Sequence, residues 1–239
     1  MTAVIEEVSP RDVMHRSDPG RYFLVGADAM ETITRFTTFV GLPEPRAILD
    51  LPCGHGRVLR YLRARFPDAS IAACDLDTDG VDFCASTFGA KPIYSTADLA
   101  KVLLDAEFDL IWCGSLMTHI HAEQWRSILR VFADHLREPG LLIFTTHGRF
   151  HARRLRSGQT KLGLSDWAAS AVLSDYDHAG FGFVSYAGQE GYGISLSSPS
   201  WVCEQVLATN GLRLISYQER GWSDHQDVVA CIKDTREVG

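Results

Sequence analysis

The sequence predicts an α/β fold: a seven-stranded, mostly parallel sheet with helices on both faces. Two observations carry that expectation. Between residues 47 and 146, short apolar runs alternate with helical patterns, the rhythm of a parallel sheet wrapped by its crossover helices. Toward the C-terminus, apolar runs at 212–218 and 228–232 are separated by too few residues for a crossover, so they pair antiparallel.

The elements follow in order. Residues 29–40 are amphipathic and stop at Gly41 and Pro43. A first strand at 47–51 leads through a glycine turn into a helix at 57–65. The second strand, 70–75, precedes a helix at 79–88; the third, 92–94, precedes a helical stretch at 97–104. The fourth strand, 108–113, is followed by a long helix at 121–136, and Pro139-Gly140 turns the chain into a fifth strand at 141–146. Residues 147–200 exceed an ordinary connection, and such stretches usually carry function. They read as a basic helical piece and then a hairpin turning at Ala187-Gly188; from Pro199 a helix runs to Asn210-Gly211. The expected organisation is one domain over 1–239. Residues 1–45 form an N-terminal cover and first helix, and 147–200 a hairpin and helix elaboration on the substrate side.

A net charge of −7 argues against nucleic-acid partners, which need a basic face. The basic cluster Arg149, Arg153, Arg154, Arg156 and Lys161 reads as a solvated helix face. The first residues carry acids and no apolar run suited to a secretory leader, and no window suggests a membrane span. Six scattered cysteines without a C-x-x-C pair imply buried thiols and a reducing, cytoplasmic setting. The sequence does not fix the oligomeric state, a homodimer being one arrangement compatible with it.

The chemistry concentrates in Leu49-Asp50-Leu51-Pro52-Cys53-Gly54-His55-Gly56-Arg57, at the joint of first strand and first helix. Gly54 and Gly56 let the backbone turn sharply and approach a ligand where a Cβ would collide. The joint lies at the carboxyl ends of the strands, where open parallel sheets bind ligands. Asp75 closes the second strand 25 positions after Asp50, where a carboxylate can accept ribose hydroxyls. Turn and spaced acid together point to a nucleoside ligand. A dinucleotide fingerprint would need a third small residue where Leu59 stands, and no G-K-[ST] follows, which disfavours nicotinamide cofactors and ATP.

The run ILDLPCGHGRVLRYL resembles the first motif of class I S-adenosylmethionine-dependent methyltransferases, commonly LDxGCGxGxxxxxL. Phe108-Asp109-Leu110-Ile111-Trp112 is similar to that family's fourth strand, and REPGLLIFT to its turn and fifth strand. The resemblance covers roughly residues 47–148 and the two terminal strands. It implies a Rossmann-like sheet and S-adenosylmethionine as cofactor. Asp50, Pro52, Cys53, Gly54 and Gly56 would then frame its methionine part. Asp75 would hold the ribose, Leu76 would lie beside the adenine, and Asp98, or Ser95 and Thr96 next to it, would lie near the adenine edge. Tyr22, before the first helix, would belong to a segment closing over the cofactor. Pro52 departs from the pattern, standing at the motif's first glycine.

On the acceptor side, a base is needed only where the acceptor must lose a proton. His119, His147 and His225 follow strand ends and are the candidates, each with a packing role as its alternative. Phe181, Phe183, Tyr186 and Tyr192 of the hairpin are the candidate aromatic wall for substrate, or equally its packing onto the sheet. No metal site is expected, since His119 and His121 lie only two apart and Asp75 and Asp77 read as cofactor and capping residues. The expected activity is methyl transfer to an oxygen or nitrogen of a small-molecule metabolite. The alternatives are a nicotinamide-dependent oxidoreductase and a nucleoside-binding module that has lost catalysis.

Overall fold

In the computed structural model, which describes residues 2–233, each apolar run of the central region becomes a strand. These are β1 (Ala47–Asp50), β2 (Ser70–Asp75), β3 (Lys91–Tyr94), β4 (Phe108–Cys113) and β5 (Leu136–Thr146). A hairpin, β6 (Phe181–Tyr186) and β7 (Gln189–Ser197), forms its own two-stranded sheet. The last strands, β8 (Arg213–Trp222) and β9 (Gln226–Lys233), complete a seven-stranded sheet of order β3-β2-β1-β4-β5-β9-β8. β1 to β5 pair parallel, and β9 runs antiparallel to both β5 and β8. The reversal between β1 and β4 is the switch point at which such sheets open a crevice.

The helices are α1 (Val13–Ser17), α2 (Pro19–Val40), α3 (Leu59–Arg65), α4 (Thr78–Phe88), α5 (Ala122–His135), α6 (Arg149–Arg156), α7 (Asp166–Ala179) and α8 (Pro199–Leu207). Two apolar layers sandwich the sheet. One gathers α2, α3 and α4 residues such as Ile33, Leu62 and Val81; the other gathers Trp125, Ile128 and Phe132 of α5 with Val202 and Val206 of α8. A third cluster, around Leu155, Val172 and Leu196, seats the hairpin on α6 and α7.

Among the differences from the sequence reading, four have a clear physical cause. The first long helix begins at Pro19, where proline occupies the first turn and the Asp18 carboxylate accepts the Arg21 amide. The 97–104 stretch holds only one 3₁₀ turn, Leu99–Lys101, because Val102 and Leu104 are buried and Leu103 is exposed, a period of two rather than 3.6. β5 runs through Pro139-Gly140 instead of starting after it. The register slips between Phe108↔Leu136 and Leu110↔Leu141, and the bulge takes up the proline, which has no amide to give. α7, capped by the Ser165 hydroxyl at the Ala168 amide, was not foreseen.

Candidate active site

A cavity of about 740 Å³ opens at the carboxyl ends of β1, β2 and β4. Its floor is the β1–α3 turn, where Gly54 and Gly56 take φ of 50° and 80°. Both lie in the left-handed region that glycine enters without cost. The turn is pinned from the next strand: the Gly54 amide donates to Asp75 Oδ2 at 2.7 Å, and the Asp77 amide to Asp75 Oδ1 at 3.0 Å. α4 also approaches closely, since a Cβ on Gly80 would meet the Gly54 carbonyl at 2.5 Å. Pro52, Cys53 and Leu76 line the same cavity.

Asp50 is the most unusual group in it. The side chain is 1% exposed, and neither carboxylate oxygen has a hydrogen-bond partner. Burial, reinforced by the Asp75 charge, holds its pKa well above the ordinary carboxylate value, while Arg57 pulls it down. An orphaned buried carboxylate is costly unless a ligand cation completes it.

Arg57 is the counterpart that the sequence reading overlooked. Its guanidinium lies 5.6 Å from the Trp222 ring centroid and forms no hydrogen bond or ion pair within the described residues. Burial lowers its pKa. It lines the cavity with Asp50, so one wall offers an unpaired acid and an unpaired base. That wall matches the ammonium and carboxylate of an amino-acid group. The signal was the arginine directly after the second glycine.

Not every expected cofactor contact lies here. Ser95, Thr96 and Ala97 line the cavity, but Asp98 does not. The Asp98 carboxylate instead caps the 3₁₀ turn at the Ala100 amide and pairs with Lys101. Tyr22 is likewise turned away from the main cavity. It is 1% exposed, packs against the Arg60 guanidinium, and borders only a smaller neighbouring cavity. The N-terminal cover is provided by Asp12 and Met14, which do line the main cavity. Arg11 ties this segment down through Asp79, whose other carboxylate oxygen lies 3.0 Å from His55 Nε2.

The hairpin closes the opposite side. Gly193 donates its amide to the His119 carbonyl at 3.0 Å, and the Ser197 amide donates to the His147 carbonyl at 2.9 Å. Ser195 Oγ lies 3.0 Å from the carbonyls of Met117 and Ile120. These bonds hold the tip residues Gln189, Glu190, Gly191 and Tyr192 over the cavity. Of the four expected wall aromatics, only Tyr192 lines it. Phe181 stacks on Trp201 at 4.2 Å between centroids, and Phe183 meets His121 edge-on at 5.9 Å. Tyr186, beyond a register slip after Ser185, sits against Tyr192 without reaching the cavity. Strand alternation sends the first two toward the body of the protein.

The three candidate histidines separate. His119 lines the cavity and stacks on Tyr192 at 4.9 Å. Its Nδ1 is 2.7 Å from the Gly193 carbonyl, which only accepts, so Nδ1 carries the proton and Nε2 the lone pair. Burial lowers its pKa, which keeps the ring neutral. His147 and His225 do not reach this cavity. They gather instead with His151, behind His119, and burial lowers the pKa of all three. His147, His151 and His225 bring ligand-capable atoms within 4.8 Å of one another, a grouping the sequence reading did not single out.

Residues 48–140 match the family model for a methyltransferase domain. Over that stretch the chain is similar to methyltransferase domains, and it shares the fold of S-adenosylmethionine-dependent methyltransferases. Among curated proteins, the malonyl-[acyl-carrier protein] O-methyltransferase of Acetivibrio thermocellus is 26% identical over 106 residues, 42% of this chain. The matched part is 35% of that relative's length. Solved structures show the same fold over nearly the whole chain. An S-adenosylmethionine-dependent methyltransferase from Clostridium acetobutylicum aligns with a TM-score of 0.63 at 17% identity, covering 93% of this chain and 96% of its own. DesVI of Streptomyces venezuelae aligns at 0.61 and 17%, covering 95% and 99%. The plantazolicin methyltransferase BpumL, solved with a monoazolic desmethylPZN analog and SAH, aligns at 0.59 and 14%, covering 92% and 88%. The cavity between β1, β2 and β4 lies at the switch point of this fold, and the orphaned Asp50 carboxylate within it could accept a cationic group.

Proposed function

We propose that the protein transfers a methyl group from S-adenosylmethionine to an oxygen or nitrogen of a small-molecule acceptor. The carrying observation is that orphaned Asp50 and Arg57, whose charge acts on it, line the same cavity as Asp75. Asp50 would take the ammonium and Arg57 the carboxylate of the methionine part. Asp75 keeps further lone pairs for the ribose hydroxyls after accepting the Gly54 and Asp77 amides. Leu76, Ser95 and Thr96 supply the surface for the base. The cofactor, once bound, supplies an activated methyl group for in-line displacement.

What remains for the chain is alignment and exclusion of water. The hairpin tip and the Asp12–Met14 segment cover the cavity from two sides. His119 Nε2, with its lone pair free, is the group suited to take a proton from a hydroxyl or amine acceptor. Leu59, fully buried where a dinucleotide fingerprint has its third small residue, supports this reading over a nicotinamide enzyme. The acidic net charge supports a small-molecule acceptor over nucleic acid. Six unpaired thiols support a reducing, cytoplasmic setting. No helix among the described residues is long and apolar enough to cross a membrane.

Calorimetric titration tests the reading with two ligands. S-adenosylhomocysteine carries the amino-acid group, and methylthioadenosine lacks it. Tight binding of the first that Arg57→Met weakens at least 30-fold, with methylthioadenosine affinity unchanged, is the expected result. Equal losses for both ligands, or no binding of either, would overturn the assignment.

A further inference from the structure

The cluster of His147, His151 and His225 lies outside the cofactor cleft, and methyl transfer as described does not use it. Its construction follows from the sheet. The antiparallel register sets Thr146 at the end of β5 against Asp227 of β9, which brings His147, one residue on, near His225, two residues before Asp227. The chain then enters α6 at once, and His151, four residues after His147, comes round one helical turn onto the same side. The ring centroids are 4.0 Å apart for His147 and His151 and 4.4 Å for His151 and His225.

Buried imidazoles normally satisfy both ring nitrogens. Here they do not. His147 is 4% and His151 0% exposed, and Nδ1 of each has no hydrogen-bond partner. His151 Nε2 lies 3.0 Å from the His225 carbonyl. A carbonyl accepts only, so Nε2 carries the hydrogen and the lone pair is on the unpartnered Nδ1. A backbone carbonyl that fixes the tautomer of a histidine in this way is the usual support behind a metal ligand. Asp227, two residues from His225, is already committed to the Tyr217 hydroxyl at 2.5 Å and the Arg220 amide at 2.9 Å.

We propose that His147, His151 and His225 form a three-histidine site for a divalent transition-metal ion of zinc type. Three neutral imidazoles suit zinc and its neighbours rather than magnesium or calcium, which take oxygen ligands. Tetrahedral zinc with bonds of about 2.0–2.1 Å needs nitrogens roughly 3.4 Å apart. From the observed spread of up to 4.8 Å, a bound ion would draw the rings together by rotation and by movement of the β8–β9 turn that carries His225. Three protein ligands leave a fourth position for water or another ligand. His225 also borders the smaller cavity, which shares Met14, Arg57, Ser115 and Trp222 with the cofactor cleft. The metal site is thus placed at the rear of the active region, and it stands whether or not the methyl-transfer reading does.

The test uses the full chain stripped with a chelator and then titrated with ZnCl₂ alone, followed by calorimetry and thermal melting. CoCl₂ serves as a spectroscopic probe, because tetrahedral cobalt absorbs intensely in the visible. The expected result is one equivalent bound, a raised Tm and a tetrahedral cobalt band. His225→Ala and His151→Ala should each weaken binding at least 100-fold, while His178→Ala, on the exposed face of α7, leaves it unchanged. His225 lies in a surface turn, so its variant decides the matter even if His151→Ala fails to fold. Absence of saturable binding, or stoichiometric binding that survives His225→Ala, would overturn the proposal.

Discussion

The Asp75 carboxylate accepts the Gly54 amide at 2.7 Å across the gap between β2 and the β1–α3 turn. One side chain therefore fixes the glycine turn and presents its remaining lone pairs to the cleft. Asp75→Ala removes both roles. Loss of a charge-assisted hydrogen bond costs about 1.5–3 kcal/mol, and cofactor affinity should fall at least 100-fold. Asp75→Asn keeps an acceptor for Gly54, so its Tm should lie close to that of the parent while binding stays impaired. Calorimetry and melting on the two variants check the separation.

Asp50→Asn should move stability and binding in opposite directions. The native carboxylate is buried without a partner, and its pKa is raised. A raised carboxylate contributes stability below its unfolded value, near 4, and loses that contribution as pH rises through the folded value. The ligand-free variant should therefore melt higher than the parent at pH 7–8, by an advantage of about 1–3 kcal/mol that disappears as pH falls toward ~4. Affinity for S-adenosylhomocysteine should drop at least 30-fold. A variant that melts lower at neutral pH would contradict the role given to Asp50.

His119→Ala removes both the free Nε2 and the Nδ1 bond to Gly193. With an acceptor that must lose a proton, kcat should fall about 10²–10⁴-fold, the range of a lost general base. His119→Asn can keep the donor to Gly193, so it should hold the hairpin and still lack activity. Equal activity in the two variants and the parent would reduce His119 to a packing residue.

Ser195→Ala tests the hairpin. The buried hydroxyl is placed between two carbonyls of the β4–α5 connection. Removing it takes a donor from the Ile120 carbonyl, while the Met117 carbonyl keeps the Trp125 indole N–H, at a cost of about 1–3 kcal/mol, and loosens the tip above the cleft. The acceptor KM should rise several-fold while cofactor affinity changes little, which steady-state kinetics would read.

The sheet order and the glycine turn were legible because they are local. Apolar period, turn residues and the spacing from Asp50 to Asp75 all lie within short windows of the chain. The basic role of Arg57 was hidden because an arginine opening a helix looks the same whether it points to solvent or inward over Trp222. The histidine cluster was half visible: His147 and His151 are four apart, a helical spacing, but His225 joins them only through the β5–β9 register. The hairpin aromatics were misassigned for a related reason. Strand alternation says that Phe181 and Phe183 share a face, but not that this face meets Trp201 and His121.

The hairpin is attached to the body through the amides of Gly193 and Ser197, the Gly193 carbonyl and the Ser195 hydroxyl, and through Ile194 and Leu196 in the apolar cluster with α6 and α7. None of these anchors belongs to the tip segment 189–192. The tip over the cleft can therefore drift in sequence while its seat stays constant, and related proteins can acquire new acceptors by rewriting a few tip residues and leaving the cofactor half untouched.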